Sequence, residues 1–61
     1  MISPTQSDLG RTVIFTGYTH PNAERPEGEL TSFNERNGFV RFPGKNFSEA
    51  CGLDVLEWSH P

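Results

Sequence analysis

Alternating apolar and polar positions divide the chain into short stretches of period two. The first, "RTVIFTGY", is rich in β-branched and aromatic residues; Val13 and Phe15 fall on one face, Ile14 and Thr16 on the other, and Gly17 closes it. Next comes "GELTSFNER", starting at Gly28, which "NGFVRFPG" answers across "NERNG", where Asn37 and Gly38 tolerate positive φ and suit a hairpin. "FSEAC" reads as a short strand, Gly52 breaks it, "LDVL" fits one 3-10 turn and "LEWS" a last short strand. No segment repeats apolar residues at i, i+3, i+4 and i+7 over two turns, so a helix of ordinary length is not expected. The pattern predicts an all-β fold, a small five-stranded antiparallel barrel or sandwich with a short 3-10 turn before the last strand.

The connecting segments are read from their turn residues. Residues 1–10 carry Ser3, Pro4, Thr5, Ser7 and Gly10 with few apolar groups, which predicts a flexible lead-in rather than an element, with Leu9 as its one anchor. "THPNAERPEG" has two prolines, an Asn and a terminal Gly but no helical apolar period, and is expected to be a long exposed loop. "PGKN" is a turn by composition; the phosphate-loop spacing GxxxxGK[ST] is absent, and Asn46 stands where Ser or Thr would be needed.

The central hairpin leaves one question of faces. Under strict alternation Leu30, Ser32 and Asn34 share a face from which Phe33 is excluded, and Val40 and Phe42 share one from which Phe39 is excluded. A three-residue loop, Glu35-Arg36-Asn37, would place Phe33 opposite Phe39 on the outer face. A two-residue Asn37-Gly38 loop would place Phe33 opposite Phe42 inside, with a bulge needed to bring in Leu30. The preferred arrangement has Leu30, Val40 and Phe42 inside, Phe39 outside, and Phe33 partly buried at a bend.

Length and charge narrow the function classes. A chain of 61 residues makes one domain and buries only about 60 % of the surface its unfolded form exposes. Cys51 is the only cysteine, so neither an internal disulfide nor a Cys-rich zinc site supports the fold. The lone thiol, together with an amino terminus lacking a basic region followed by an apolar one, predicts a cytoplasmic protein. The longest apolar run is "VIF", far short of the roughly 20 residues a membrane span needs. With 5 Lys+Arg against 8 Asp+Glu the net charge is −3, which opposes sequence-independent nucleic-acid binding.

The order of elements, long loop, Gly, twisted hairpin, short strand, 3-10 turn and final strand, resembles the SH3-like barrels, including Tudor-like and KOW-like modules. Across residues 11–58, "GELTSFNERNGFVRF" followed by "SEA" and "LDVLEW" is similar to small phage- and prophage-encoded proteins with a Gly-x-apolar strand, an aromatic-rich strand and an acidic-Leu-Glu-Trp ending. The resemblance implies a single SH3-like barrel over 11–61 that binds a partner without catalysis. The acidic charge departs from the nucleic-acid-binding KOW-like modules.

Candidate chemistry is sparse. His20, His60 and Cys51 lack the close spacing of metal ligands, such as Cys-x₂-Cys or His-x₃-His, and are read as surface or structural residues. No metal, cofactor or enzymatic activity is expected, because a chain this short has difficulty enclosing a catalytic pocket of about 300–1,000 Å³. The aromatic residues exceed what one barrel face needs. A protein-binding surface is therefore expected at Tyr18, Phe39, Arg41 and Trp58 with the loop 19–27, of the aromatic-lined kind that receives peptides. Two other readings stand beside it: nucleic-acid binding through Arg36, Arg41 and Lys45 with stacking on Phe39 or Tyr18, and a homo-oligomer whose exposed aromatics form the subunit interface.

Overall fold

The computed structural model describes residues 1–17 and 25–59. Five antiparallel strands form one sheet: β1 (Thr12–Phe15), β2 (Glu27–Phe33), β3 (Asn37–Arg41), β4 (Glu49–Gly52) and β5 (Leu56–Trp58). Their order across the sheet is β4-β3-β2-β1-β5, so the first strand lies between the second and the last. A 3-10 turn, Leu53–Val55, joins β4 to β5. The all-β class, the five strands and the turn before the last strand are as expected. The sheet does not close on itself: β4 and β5 are its edges.

The core is small and lies on one face of the curved sheet. Val13, Leu30, Val40 and Leu56 are each 0 % exposed, and Ile2 and Cys51 join them. Leu9, Phe15, Phe42, Leu53 and Trp58 pack around this centre while keeping part of their surface in water. Each of β1, β2, β3 and β5 therefore supplies one fully buried aliphatic side chain.

Neither of the two expected hairpin registers is adopted. Phe33 pairs with Gly38, Ser32 with Phe39, Leu30 with Val40 and Glu29 with Arg41, and the shift between Leu30 and Ser32 marks a bulge at Thr31. The tip is Glu35-Arg36. Asn34 closes it: its Oδ1 accepts from the backbone N–H of Arg36 at 2.9 Å and of Asn37 at 2.8 Å, and its own N–H donates to the Asn37 carbonyl at 2.9 Å. An Asn side chain that imitates a backbone turn removes the need for a left-handed residue, and none of the described non-glycine residues has positive φ.

Gly38 is a strand residue for a steric reason. A Cβ there would lie 2.8 Å from Leu56 Cδ1 and 3.0 Å from Leu30 Cδ1. The bulge answers the question of faces: the extra residue reverses the alternation, so Leu30 and Phe33 both lie on the core side. Phe33 faces neither Phe39 nor Phe42, but is partly buried as expected. Thr31 Oγ1 donates to the Phe39 carbonyl at 3.0 Å and lies 2.6 Å from Ser48 Oγ, fastening the chain before β4 to the bulge.

Residues 1–10, expected to hold no element, contain one. Gln6–Asp8 form a 3-10 turn, Ile2 is 4 % exposed, its N–H donates to the Leu53 carbonyl at 3.2 Å, and the Gly10 N–H donates to the Leu30 carbonyl at 2.8 Å. The segment lacks a hydrophobic period because polar bonds organise it. Asp8 Oδ2 accepts from the Thr5 N–H at 2.8 Å and Asp8 Oδ1 from Arg11 Nη1 at 2.9 Å.

The Thr5 backbone bond first, then the Arg11 bond, hold the Asp8 carboxyl below its ordinary pKa. A carboxylate depressed in the native state stabilises the fold above its unfolded pKa, and that stabilisation is lost as pH falls through the native value. The amino-terminal turn should therefore loosen below the ordinary carboxylate range. The urea midpoint of Asp8→Asn should show less acid dependence than that of the parent, and identical acid profiles would contradict this origin.

Candidate functional site

The sequence-derived binding residues separate onto different surfaces. Phe39 and Arg41 alternate with the core-facing Gly38 and Val40 along β3, so they share the outer face, where Phe39 is half-buried between Ser32 of β2 and Ala50 of β4. Arg41 is exposed and lies 3.9 Å from Glu29, a solvent-screened pair of little energetic weight. Trp58 is on the other face. It pairs with the buried Val13 and packs on the core, and the Arg11 guanidinium lies over its ring, 4.1 Å from the centroid. Tyr18, His20, His60 and most of the loop 19–27 lie outside the described residues.

The three cations of the nucleic-acid reading are also divided. Arg36 sits at the hairpin tip and Arg41 at the far end of β3, five residues and roughly 17 Å away along an extended strand. Lys45 is turned back toward Arg41 by the bend at Pro43-Gly44, where the Lys45 N–H donates to the Phe42 carbonyl at 3.1 Å and Gly44 has φ of 83°. Arg41 and Lys45 share a shallow depression with Glu27 and Glu29. Carboxylates thus answer the cations there.

A cleft of about 440 Å³ opens between β4 and the facing ends of β1 and β2. Its walls are Phe15, Pro26, Phe42 and Cys51, with Ala50 at the edge and Lys45 and Glu49 at the rim. Among the described residues, no strand joins β4 to β1 across it. Phe15 stands at the last position of β1, where its N–H donates to the Pro26 carbonyl at 2.9 Å, and Phe42 follows directly on β3. Both point to the core side of their strands and pack against the core while keeping part of their surface exposed.

The edge of β4 beside this cleft has its own polarity. The Leu53 N–H donates to the Arg36 carbonyl at 3.0 Å, and with Gly38 opposite Cys51 and Val40 opposite Glu49 the alternation of an antiparallel ladder turns the Glu49 and Cys51 backbones toward β3. The N–H and C=O groups of Ala50 and Gly52 then point away from the sheet. No described strand pairs with them.

Cys51 does not supply a reactive group. Burial first, and the neighbouring Glu49 charge second, raise its pKa, and its Sγ makes a weak bond to the Glu49 carbonyl at 3.7 Å. Among the described residues, no group of three or more His, Cys, Asp or Glu is arranged to hold a metal ion. No helix among them is long and apolar enough to cross a membrane.

Sequence reasoning placed Phe42 inside and Phe15 on the face of Val13, and did not identify the cleft they line. The available signal was their position at strand ends, Phe15 two residues before Gly17 and Phe42 directly before Pro43. No family model, curated protein or solved structure matches the chain.

Proposed function

We propose that the chain is an SH3-like barrel that serves as a non-catalytic binding module for a protein partner, with the cleft between Phe15, Phe42 and Cys51 as its site. The barrel assignment draws support from the strand order β4-β3-β2-β1-β5, the bulged β2–β3 hairpin and the 3-10 turn before the last strand. The observation that carries the functional reading is a cleft walled by Phe15, Phe42 and Cys51, with charged Lys45 and Glu49 at its rim, next to a strand edge that no other described strand pairs. Such a place suits a side chain presented by another chain. A non-catalytic role fits a site whose one sulfur is held as the thiol and whose charged groups, Lys45 and Glu49, are exposed. A phage or prophage origin and a cytoplasmic setting rest on the sequence resemblance and the lone thiol. The nucleic-acid alternative is weakened by the net charge of −3 and by the separation of Arg36 from Arg41 and Lys45.

Selection from a random-peptide library against the immobilised protein tests the reading. Enriched peptides should shift the NMR signals of Phe15 and Phe42 and leave those of Phe39 unmoved. Selection of nothing, or of peptides that act on the Phe39 face, would overturn the cleft as the site.

A further inference from the structure

We propose that an extended peptide adds as a strand to the free edge of β4, placing an apolar side chain in the cleft and a Lys or Arg side chain against Glu49. The inference rests on the binding-module reading and specifies its mode and ligand. The first support is the hydrogen-bond ladder: Ala50 and Gly52 direct outward backbone donors and acceptors that no described strand pairs. A strand added there satisfies them, and main-chain bonds supply affinity while alternate side chains supply selectivity. The second is the cleft, which opens on the side of β4 that carries the Cys51 side chain.

Spacing follows from the pleat. Glu49 and Cys51 are two residues apart and share a face, so the peptide residue opposite Cys51 enters the cleft while the residue two positions away meets Glu49. The ligand pattern is an apolar residue, any residue, then Lys or Arg, in either chain direction. Charge supports the basic partner: Glu49 is in neither of the two ion pairs among the described residues, Asp8 with Arg11 and Glu29 with Arg41. Lys45, across the cleft, turns its ammonium toward the exposed Phe47 ring, 5.7 Å from the centroid.

A second copy of the chain fits this edge less well. Stable protein interfaces bury about 1,200–2,000 Å², beyond what a four-residue strand supplies, and two chains of net charge −3 repel each other.

Ala50→Pro tests the mode directly. Its ring deletes an outward N–H while sparing every β3–β4 bond, and proline is tolerated on a strand edge in this sense. Peptides enriched in the library selection should show the apolar-x-basic pattern and bind Ala50→Pro about tenfold or more weakly, a loss of about 1.4 kcal/mol. Their binding to Glu49→Lys should also fall, with preference moving to acidic peptides. Should Ala50→Pro fail to fold, N-methylation of the peptide decides the matter: methylating one alternate set of amides should abolish binding, and methylating the other should leave it.

Equal loss from both methylated sets, or cleft-bound peptides that keep full affinity for folded Ala50→Pro, would refute strand addition while leaving the cleft as a binding site. Dimerisation of the parent chain in sedimentation, abolished by Ala50→Pro, would assign the edge to a second copy and overturn the peptide. A selection yielding no cleft-directed peptide would remove the binding-module reading itself.

Discussion

Leu56→Ala is expected to remove most of the stability of the protein. Leu56 is 0 % exposed, comes from the edge strand β5, and reaches under β3, where its Cδ1 is the atom nearest to the missing Cβ of Gly38. It therefore joins the end of the chain to the central hairpin, two regions that are not neighbours in the sheet. Truncating a buried Leu to Ala costs about 2–5 kcal/mol, the spread reflecting how far the surroundings collapse into the space left behind. At about 0.05–0.15 kcal/mol per residue, a chain of this length has roughly 3–9 kcal/mol in total. Collapse is hindered here because three strands fix the walls through Val13, Leu30 and Val40.

The urea midpoint should fall by about 2 M or more, taking a slope near 1 kcal/mol/M for a small domain. Leu56→Met, which nearly conserves volume, should cost less than about 1.5 kcal/mol. A Leu56→Ala midpoint equal to that of Leu56→Met would mean that β5 does not supply the core.

The same packing explains which features can be read from the sequence. Short strand-forming runs bounded by turn residues locate all five strands, and Leu30 and Val40, expected inside, are fully buried. The 3-10 turn at Leu53–Val55 follows from Gly52 and the shortness of the run between two strands. Register is less legible. Asn37-Gly38 has the composition of a turn, but Asn34 makes the turn with its own side chain, and Gly38 is required in the strand by Leu56 and Leu30, which are distant in sequence.

The amino-terminal segment is missed for a related reason. Thr5, Asp8 and Arg11 organise it through polar bonds, and its core contacts, Ile2 and Leu9, have no apolar companions between them to set a period. For the candidate site, alternation groups Phe15 with Val13 and Phe42 with Val40 but does not show that the two aromatic rings line one cleft. Closure depends on how far β2 bends, and side-chain alternation does not encode that angle.

Gly28 marks that bend, and Gly28→Ala is expected to be the most damaging single-methyl addition in the molecule. β2 pairs with β1 through Glu27–Glu29 and with β3 from Glu29 onward, so it turns the corner between the two at its amino-terminal end. A Cβ on Gly28 would lie 2.5 Å from Val40 Cγ1, 2.9 Å from the Arg41 carbonyl oxygen and 3.0 Å from Phe42 Cδ1. Val40 is fully buried and has no space to retreat, and the Arg41 carbonyl belongs to the backbone of the paired strand. Reducing the freedom of the unfolded chain would by itself stabilise the variant by about 0.4–1 kcal/mol, but overpacking of about 1–3 kcal/mol or more outweighs it.

The cost is steric, because Gly28 has no positive φ, and this separates it from Gly44. At Gly44, with φ of 83°, nothing lies within 4 Å of an added Cβ and only the dihedral resists substitution. Asn tolerates that region. Gly44→Asn should therefore melt close to the parent, while Gly28→Ala melts about 4–8 °C lower for each kcal/mol lost. Phe42 is both a neighbour of the new methyl and a wall of the cleft, so its aromatic NMR signals should move in Gly28→Ala, and cleft-directed peptides should bind it less well. A folded Gly28→Ala variant with unshifted Phe42 signals and parental melting would show that β2 does not bend here as tightly as the carbonyl of Arg41 requires.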